Sequence, residues 1–227
     1  MECRTGKTLT ALFAADKFNA KSVLFITKLK AIPSVKSDYI ALQPSFKLEV
    51  VNFESSHKVT GIFDLVIIDE AHSLGAYPKP SKRTLSIKAL CTGLPVLFLS
   101  GTPSPESYSQ LYHQFWVCSK SPWKSYKSFY KWAKEYVYTR QKKVNGSLIN
   151  DYSCANKPKI DNDTKNLFIS YSQEQAGFEV NINEHILQVQ MKNRTGEYIR
   201  RLQNDLIVDV NGYTVLGDSP ADRKSVV

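Results

Sequence analysis

The sequence predicts an α/β domain in which helices flank a parallel sheet, followed by a smaller α+β extension. Four short apolar runs have the length of strands: residues 22–27, 47–53, 65–68 and 96–99. The third run, Leu65–Ile68, is aliphatic at every position, which is typical of a strand buried on both faces. Helical patterns separate the runs along the chain. Strands that alternate with helices favour parallel pairing.

Helices are predicted on both sides of these strands. The first follows Gly6-Lys7-Thr8, where residues 9–15 have a helical pattern. Pro33 suits the first turn of a helix over residues 33–43. Another helix is predicted from about residue 84 to 90, ended by Gly93 and Pro95. Residues 105–118 form a further predicted helix with an apolar stripe at Tyr108, Leu111, Tyr112 and Phe115.

Composition limits the classes of protein to be considered. The 227 residues suffice for one domain with a substantial core and an appendage. A formal charge of +9 favours an acidic partner. The four cysteines lie far apart, which argues against a zinc site or a disulfide framework and fits a reducing compartment. No apolar run approaches the roughly 20 residues of a membrane helix. We therefore expect a cytoplasmic protein, in the host cytoplasm if viral, without a membrane partner.

An acidic pair follows the most apolar strand. Asp69 and Glu70 come directly after Leu65–Ile68, and ligands of open α/β sheets bind at the carboxyl ends of the strands. Burying two carboxylates is costly without a positive partner, which a Mg²⁺-nucleotide can supply. The alternative is an exposed strand end that is capped by acids.

Near the N-terminus, Arg4-Thr5-Gly6-Lys7-Thr8 precedes the first helical pattern. Gly-Lys-Thr at the start of a helix is the centre of a P-loop, in which backbone N–H groups hold phosphate, the lysine reaches the β/γ-phosphates and the threonine hydroxyl binds Mg²⁺. The complete pattern has a glycine where this chain has Met1. Together with Asp69, Thr8 would supply opposite sides of one Mg²⁺. The predicted cofactors are ATP and Mg²⁺, and another P-loop enzyme, such as a kinase, is an alternative at this point.

Further motifs carry a family resemblance. Asp69-Glu70-Ala71-His72 is a DEAH box, and Ser100-Gly101-Thr102-Pro103 after a strand looks like motif III of superfamily 2 helicases, which counts against a kinase. The run LFLSGTPSPESYSQLYHQFWV resembles the Swi/Snf-type branch, particularly the short helicases of phages and mobile elements. The resemblance is strong over residues 1–118 and looser beyond.

The resemblance implies roles for particular residues. Residues 1–118 would form a RecA-like ATP-binding lobe, with Glu70 orienting or deprotonating the attacking water. His72, Ser100, Gly101 and Thr102 would couple the nucleotide state to nucleic acid, with DNA favoured over RNA. Thr27 and Lys28 would contact the nucleic-acid backbone.

The family pattern also implies parts that this sequence does not supply. In the family a strand precedes the P-loop, so the domain is expected to be cut at its N-terminus. Residues 119–227 would be a basic and aromatic extension that leads toward a second motor lobe, absent from this chain. That lobe would supply arginines to the transferred phosphoryl group, and none of the five arginines after motif III lies in a recognisable second-lobe motif.

The most polarised segment is 120–143, with eight basic residues against one acid. On a helical wheel one narrow face holds Lys124, Lys127, Lys131 and Lys134, and the opposite face holds six largely aromatic or aliphatic residues: Tyr126, Phe129, Tyr130, Ala133, Tyr136 and Val137. Two interpretations stay open. The lysines form either a solvated face of an amphipathic helix or a surface that follows nucleic-acid phosphates.

The remaining chain carries weaker signals. Residues 139–165 read as a loop or weak hairpin, and 171–178 as a polar loop. A strand is expected at 186–191, a helix at 195–207, and a hairpin turning at Asn211-Gly212.

The main prediction is a truncated ATP-dependent DNA helicase or translocase. The alternative is an ATPase-inactive fragment that acts only as a basic nucleic-acid-binding module.

Overall fold

The structure of the protein, a computed structural model, describes residues 5–144, 147–177, 191–204, 207–210 and 213–216. It divides into two compact units, Met1–Val180 and Asn181–Val227. The expected functional division after residue 118 stays a prediction. Within the described residues no strand precedes the first helix.

The first unit is built on a four-stranded parallel sheet, as predicted. Its strands are β1 (Ser22–Thr27), β2 (Lys47–Asn52), β3 (Leu65–Ile68) and β4 (Val96–Phe98). They are ordered β2-β1-β3-β4, and every neighbouring pair is parallel. The register places Ile26 beside Ile68 and Ile68 beside Phe98. The carboxyl ends of β1, β3 and β4 therefore meet at one edge of the sheet.

Helices cover both faces of this sheet. They are α1 (Lys7–Lys17), α2 (Ile32–Leu42) and α3 (Lys82–Leu90). Val23, Phe25, Leu65 and Ile67 pack in one apolar cluster with residues of α1 and α2. The alternate residues of β1 and β3 pack in a second cluster with residues of α3. Because β3 is covered on both sides, all four of its residues are buried, as the uninterrupted aliphatic run predicts.

Helix boundaries differ from the predictions where polar side chains bond to the backbone. Helix α3 begins at Lys82 instead of residue 84, because Ser81 acts as its N-cap and its Oγ accepts a hydrogen bond from the Thr84 N–H at 3.1 Å.

The fourth helix is shorter than predicted. Helix α4 spans Gln110–Trp116, whereas a helix over 105–118 was expected. The preceding turn is held by Gln110 Oε1, which accepts from the Glu106 N–H at 3.1 Å. Ser107 and Ser109 donate their hydroxyls to the backbone carbonyls of Ser153 and Tyr152. These local bonds compete with helical ones, so Tyr108 lies outside the helix.

An aromatic cluster joins α4 to two later helices, α5 (Phe129–Tyr136) and α6 (Lys157–Thr164). Trp132 is fully buried at its centre. Asp163 of α6 accepts hydrogen bonds from the Tyr136 hydroxyl at 2.6 Å and from Trp123 Nε1 at 3.1 Å. Burial raises the pKa of Tyr136, and the hydrogen bond to Asp163 raises it further. The phenol therefore keeps its proton and acts as the donor.

Between α5 and α6 lies a hairpin, one of the two alternatives predicted for residues 139–165. Strands β5 (Arg140–Val144) and β6 (Ser147–Asp151) pair antiparallel. Helix α6 was not expected. Only Ile160 and Thr164 of its eight residues are buried, so its sequence shows no clear apolar stripe. The sequence nevertheless contains a helix-start signal, because Asn156 is a common N-cap residue and Pro158 follows within the first turn. In the structure the Asn156 side chain accepts a hydrogen bond from the Lys159 N–H at 3.2 Å.

The second unit contains the predicted helix and hairpin. Helix α7 spans Asn193–Asn204, and strands β7 (Ile207–Val210) and β8 (Tyr213–Leu216) pair antiparallel. The expected Asn211-Gly212 turn and the expected strand at 186–191 lie outside the described residues.

Candidate functional site

The acidic pair lies where the parallel strands end. Asp69 still belongs to the sheet, because its N–H donates to the Ile26 carbonyl at 2.8 Å. The chain then turns sharply at Glu70, which adopts a left-handed conformation with φ 51° and ψ 44°. For a residue other than glycine this conformation costs roughly 1–3 kcal/mol and is concentrated at functional sites. A short 3₁₀ helix, Ala71–Leu74, follows.

Asp69 is held by two hydrogen bonds. Its Oδ2 accepts from the Thr27 hydroxyl at 2.8 Å, and its Oδ1 accepts from the Glu70 N–H at 2.9 Å. A carboxylate has about four lone-pair sites, so each oxygen keeps one site for a further partner. The carboxylate therefore fits the predicted role of a Mg²⁺ ligand. No group of three or more His, Cys, Asp or Glu side chains that could hold a metal occurs in the part of the chain that the structure describes.

Glu70 lies at the centre of a series of polar contacts between side chains. Its Oε1 lies 3.3 Å from Lys28 Nζ, and its Oε2 lies 3.3 Å from His72 Nδ1. The same His72 nitrogen is 3.1 Å from the Ser100 hydroxyl, which accepts from the Thr102 N–H at 3.2 Å. Contacts thus run continuously from the end of β1 through the DEAH segment to the residues after β4.

The Gly-Lys-Thr segment begins α1 as predicted. Gly6 is the N-cap residue, in a left-handed conformation with φ 75° that favours glycine, and its carbonyl accepts from the Thr10 N–H at 2.9 Å. Lys7 and Thr8 are half-buried in the first turn, and Thr5 lies in the preceding bend. Arg4 lies outside the described residues.

A cavity of about 850 Å³ brings the separate motifs together. Lys7 and Thr10 of α1 line it, as do Ala71 after the acidic pair and Ser100 and Gly101 after β4. Pro95 and all three residues of β4 also line the cavity. Of the predicted site residues, Lys7, Ser100 and Gly101 line the cavity. The acidic pair borders it only through the neighbouring Ala71, and Thr8, Asp69, Glu70 and His72 are not among its lining residues.

One wall of this cavity was missed by sequence reasoning. Residues 167–172 and two residues of the following turn, Glu174 and Gln175, line it. The segment belongs partly to the polar loop to which the sequence assigned no role. The signal that could have found it is the apolar run Leu167-Phe168-Ile169 within polar surroundings. All three residues are exposed, and exposed apolar runs often mark a binding surface.

The lysines of the basic segment do not share one helix. Lys131 and Lys134 belong to α5, but Lys124 and Lys127 precede it in a turn region. Ser128 starts the helix as its N-cap, accepting from the Lys131 N–H, so the helical wheel does not apply before this residue. Tyr130, placed on the apolar face, is 44% exposed. All four lysines are exposed.

The chain matches no protein-family model and no curated protein sequence. No helix among the described residues is long and apolar enough to cross a membrane.

Proposed function

We propose that the chain is the first RecA-like lobe of a superfamily 2, Swi/Snf-type DNA helicase or translocase, which binds ATP with Mg²⁺. The observation that carries the proposal is the shared cavity. Residues of a Gly-Lys-Thr helix start, of the segment after an Asp-Glu pair and of a Ser-Gly-Thr-Pro segment line it together. Segments that lie far apart in the sequence thus border one cavity beside the sheet edge at which the acidic pair lies, and the carboxyl ends of parallel strands are the usual place for a ligand.

The residues of this edge fit the division of tasks that ATP hydrolysis needs. The first turn of α1 presents backbone N–H groups without helical acceptors, and Lys7 adds a positive charge, so this end suits phosphate. Thr8 and Asp69 would hold Mg²⁺, which neutralises charge on the phosphates when bound. Glu70 would orient or deprotonate the attacking water. His72 and Ser100 connect Glu70 to the segment after β4.

Nucleic acid is the partner that the charge favours. The chain carries a formal charge of +9, and Lys124, Lys127, Lys131 and Lys134 are exposed around the start of α5. Lysines of this kind attract phosphates independently of sequence. The same lysines support the alternative, a nucleic-acid-binding module without ATPase activity.

Single-turnover hydrolysis with and without DNA separates the two functions. With protein in excess over labelled ATP, we expect slow hydrolysis that DNA accelerates. Glu70→Gln should abolish the hydrolysis and leave ATP binding intact, because it changes the contact to water and not the contacts to phosphate. Binding of DNA without any hydrolysis that depends on Glu70 would favour the binding module.

A further inference from the structure

We infer that Lys28 binds two anions in turn: the Glu70 carboxylate in the free protein and a nucleic-acid phosphate in the complex. Nucleic-acid binding would thereby release the carboxylate that acts on water. The inference rests on the proposed function, and it assigns a direct connection between the two sites through β1, in addition to the contacts through His72 and Ser100.

The geometry at the end of β1 supports this connection. Strands β1 and β3 are adjacent and parallel, so the residues that follow them meet in order. Thr27 donates to Asp69, and Lys28 next to it contacts Glu70. Two successive residues of one strand end therefore contact the two successive carboxylates of the other.

Burial distinguishes the two contacts. Thr27 is fully buried, so its bond to Asp69 is a fixed part of the sheet edge. The Lys28 side chain is 58% exposed and that of Glu70 is 34% exposed. The lysine head is therefore accessible to a ligand in solvent and can leave Glu70 without exposing the core.

The ion pair between Lys28 and Glu70 is weak enough for a nucleic-acid phosphate to replace Glu70. Exposed ion pairs of this kind change an equilibrium by only about 1.4- to 5-fold. A polyanion that takes up a lysine also releases condensed counterions, which favours the phosphate contact. Nucleic acid can therefore displace Glu70 from Lys28, while in its absence the ion pair holds the carboxylate.

The release affects the carboxylate and not its backbone. The two contacts of Glu70 use different oxygens, since Oε1 lies 3.3 Å from Lys28 Nζ and Oε2 lies 3.3 Å from His72 Nδ1, so loss of Lys28 does not itself remove the His72 contact. The oxygen that Lys28 vacates, Oε1, then becomes able to accept a hydrogen bond from water. Coupling between two ligands is reciprocal, so anything that removes the Glu70 charge should in turn strengthen nucleic-acid binding through Lys28.

A double-mutant cycle on DNA affinity tests this without any ATP. A fluorescein-labelled single-stranded oligonucleotide is titrated with the full chain, Lys28→Gln, Glu70→Gln and the double variant, at one fixed low salt concentration. We expect Glu70→Gln to tighten DNA binding about 1.4- to 5-fold by freeing Lys28. In the Lys28→Gln background, Glu70→Gln should change the affinity much less.

Two control variants measure how much DNA affinity changes when a charge is removed elsewhere on the surface. Glu54→Gln breaks another exposed ion pair, in which Arg83 lies 2.9 Å from Glu54, and should tighten DNA binding less than Glu70→Gln. Lys30→Gln removes an exposed lysine two residues from Lys28 and should leave the effect of Glu70→Gln unchanged.

The outcomes separate the inference from the proposed function. Equal effects of Glu70→Gln with and without Lys28 would overturn the inference, even if ATP is bound and hydrolysed. Absence of DNA binding by the unsubstituted chain would overturn both the inference and the nucleic-acid part of the proposed function. A Glu70 effect that disappears with Lys28 supports the inference whatever the rate of ATP hydrolysis.

Discussion

His113 of α4 connects the helix to the loop that follows the DEAH segment. The imidazole is almost completely buried, and its Nδ1 lies 2.6 Å from the Ala76 carbonyl, so Nδ1–H is the donor. Phe129 stacks on the ring with centroids 5.8 Å apart. Burial lowers the pKa of His113 from 6.5 to about 4, because the charged form would lose its hydration.

This shift predicts a pH-dependent stability. Between pH 6.5 and about 4 the unfolded chain binds a proton at His113 that the folded chain does not. The free energy of unfolding should therefore be highest above pH 6.5 and fall by about 3 kcal/mol as the pH decreases to 4. Urea unfolding at several pH values measures this fall. His113→Gln should be less stable at neutral pH and lose much of the dependence in this window, and an unchanged pH profile would contradict the assignment.

At the scale of elements, α6 is anchored to the aromatic cluster through one carboxylate. Asp163→Ala would leave the buried donors of Tyr136 and Trp123 without their acceptor. We expect a loss of roughly 2–4 kcal/mol in the free energy of unfolding, measured by chemical denaturation.

A matched control lies on the same helix. Asp161 forms an exposed ion pair with Lys157 one turn away, and such pairs contribute about 0.3–0.5 kcal/mol. Asp161→Ala should therefore change stability by no more than about 0.5 kcal/mol. Equal losses for the two variants would mean that Asp163 does not anchor the helix.

The lysines around the start of α5 allow a second test at this scale. If they follow phosphates, the logarithm of DNA affinity should fall linearly with the logarithm of salt concentration, with a slope near −0.9 per contact for duplex and about −0.7 for single strands. Changing the four lysines together to glutamine should flatten this slope, measured by fluorescence anisotropy. The four are Lys124, Lys127, Lys131 and Lys134.

The control removes the same charge from another part of the surface. Four exposed lysines are changed to glutamine there: Lys17, Lys21, Lys36 and Lys47. If both quadruple variants change the slope equally, the lysines near α5 are a solvated surface and not a specific contact region.

The elements also show what sequence patterns determine. Strands β1 and β3 match their predicted bounds. Both strands are covered on two faces, so the length of the apolar run in the sequence is also the length of the buried strand. The ends of α3 and α4 differ because the side chains of Ser81 and Gln110 bond to nearby backbone. The contact between Lys28 and Glu70 depends on which strands are neighbours, and the order β2-β1-β3-β4 is not contained in any local pattern.

At the scale of the whole molecule, the proposal concerns one lobe of a motor. After β4, the described residues form antiparallel hairpins and helices but no second parallel sheet. An arginine supplied from elsewhere to the transferred phosphoryl group contributes roughly 10³–10⁵ in rate in related P-loop enzymes. Under the proposed function, the chain assayed without such an arginine donor should bind ATP, hydrolyse it slowly and fail to move along DNA.

A complementation assay measures this expectation. A second RecA-like lobe, supplied as a separate polypeptide, should restore turnover that DNA stimulates if the two lobes can dock. Rapid DNA-stimulated hydrolysis by residues 1–227 alone, with Glu70→Gln inactive, would show that the chain needs no second lobe.

If the start of α1 binds the phosphates of ATP, a calorimetric titration with Mg²⁺ and ATP should detect the contact made by Lys7. Lys7→Ala should weaken binding about 10- to 100-fold, because a hydrogen bond from a charged group contributes roughly 1.5–3 kcal/mol. Lys17→Ala, at the other end of the same helix, should leave the affinity unchanged. Equal affinity for the unsubstituted chain and Lys7→Ala would mean that the start of α1 does not bind the phosphates.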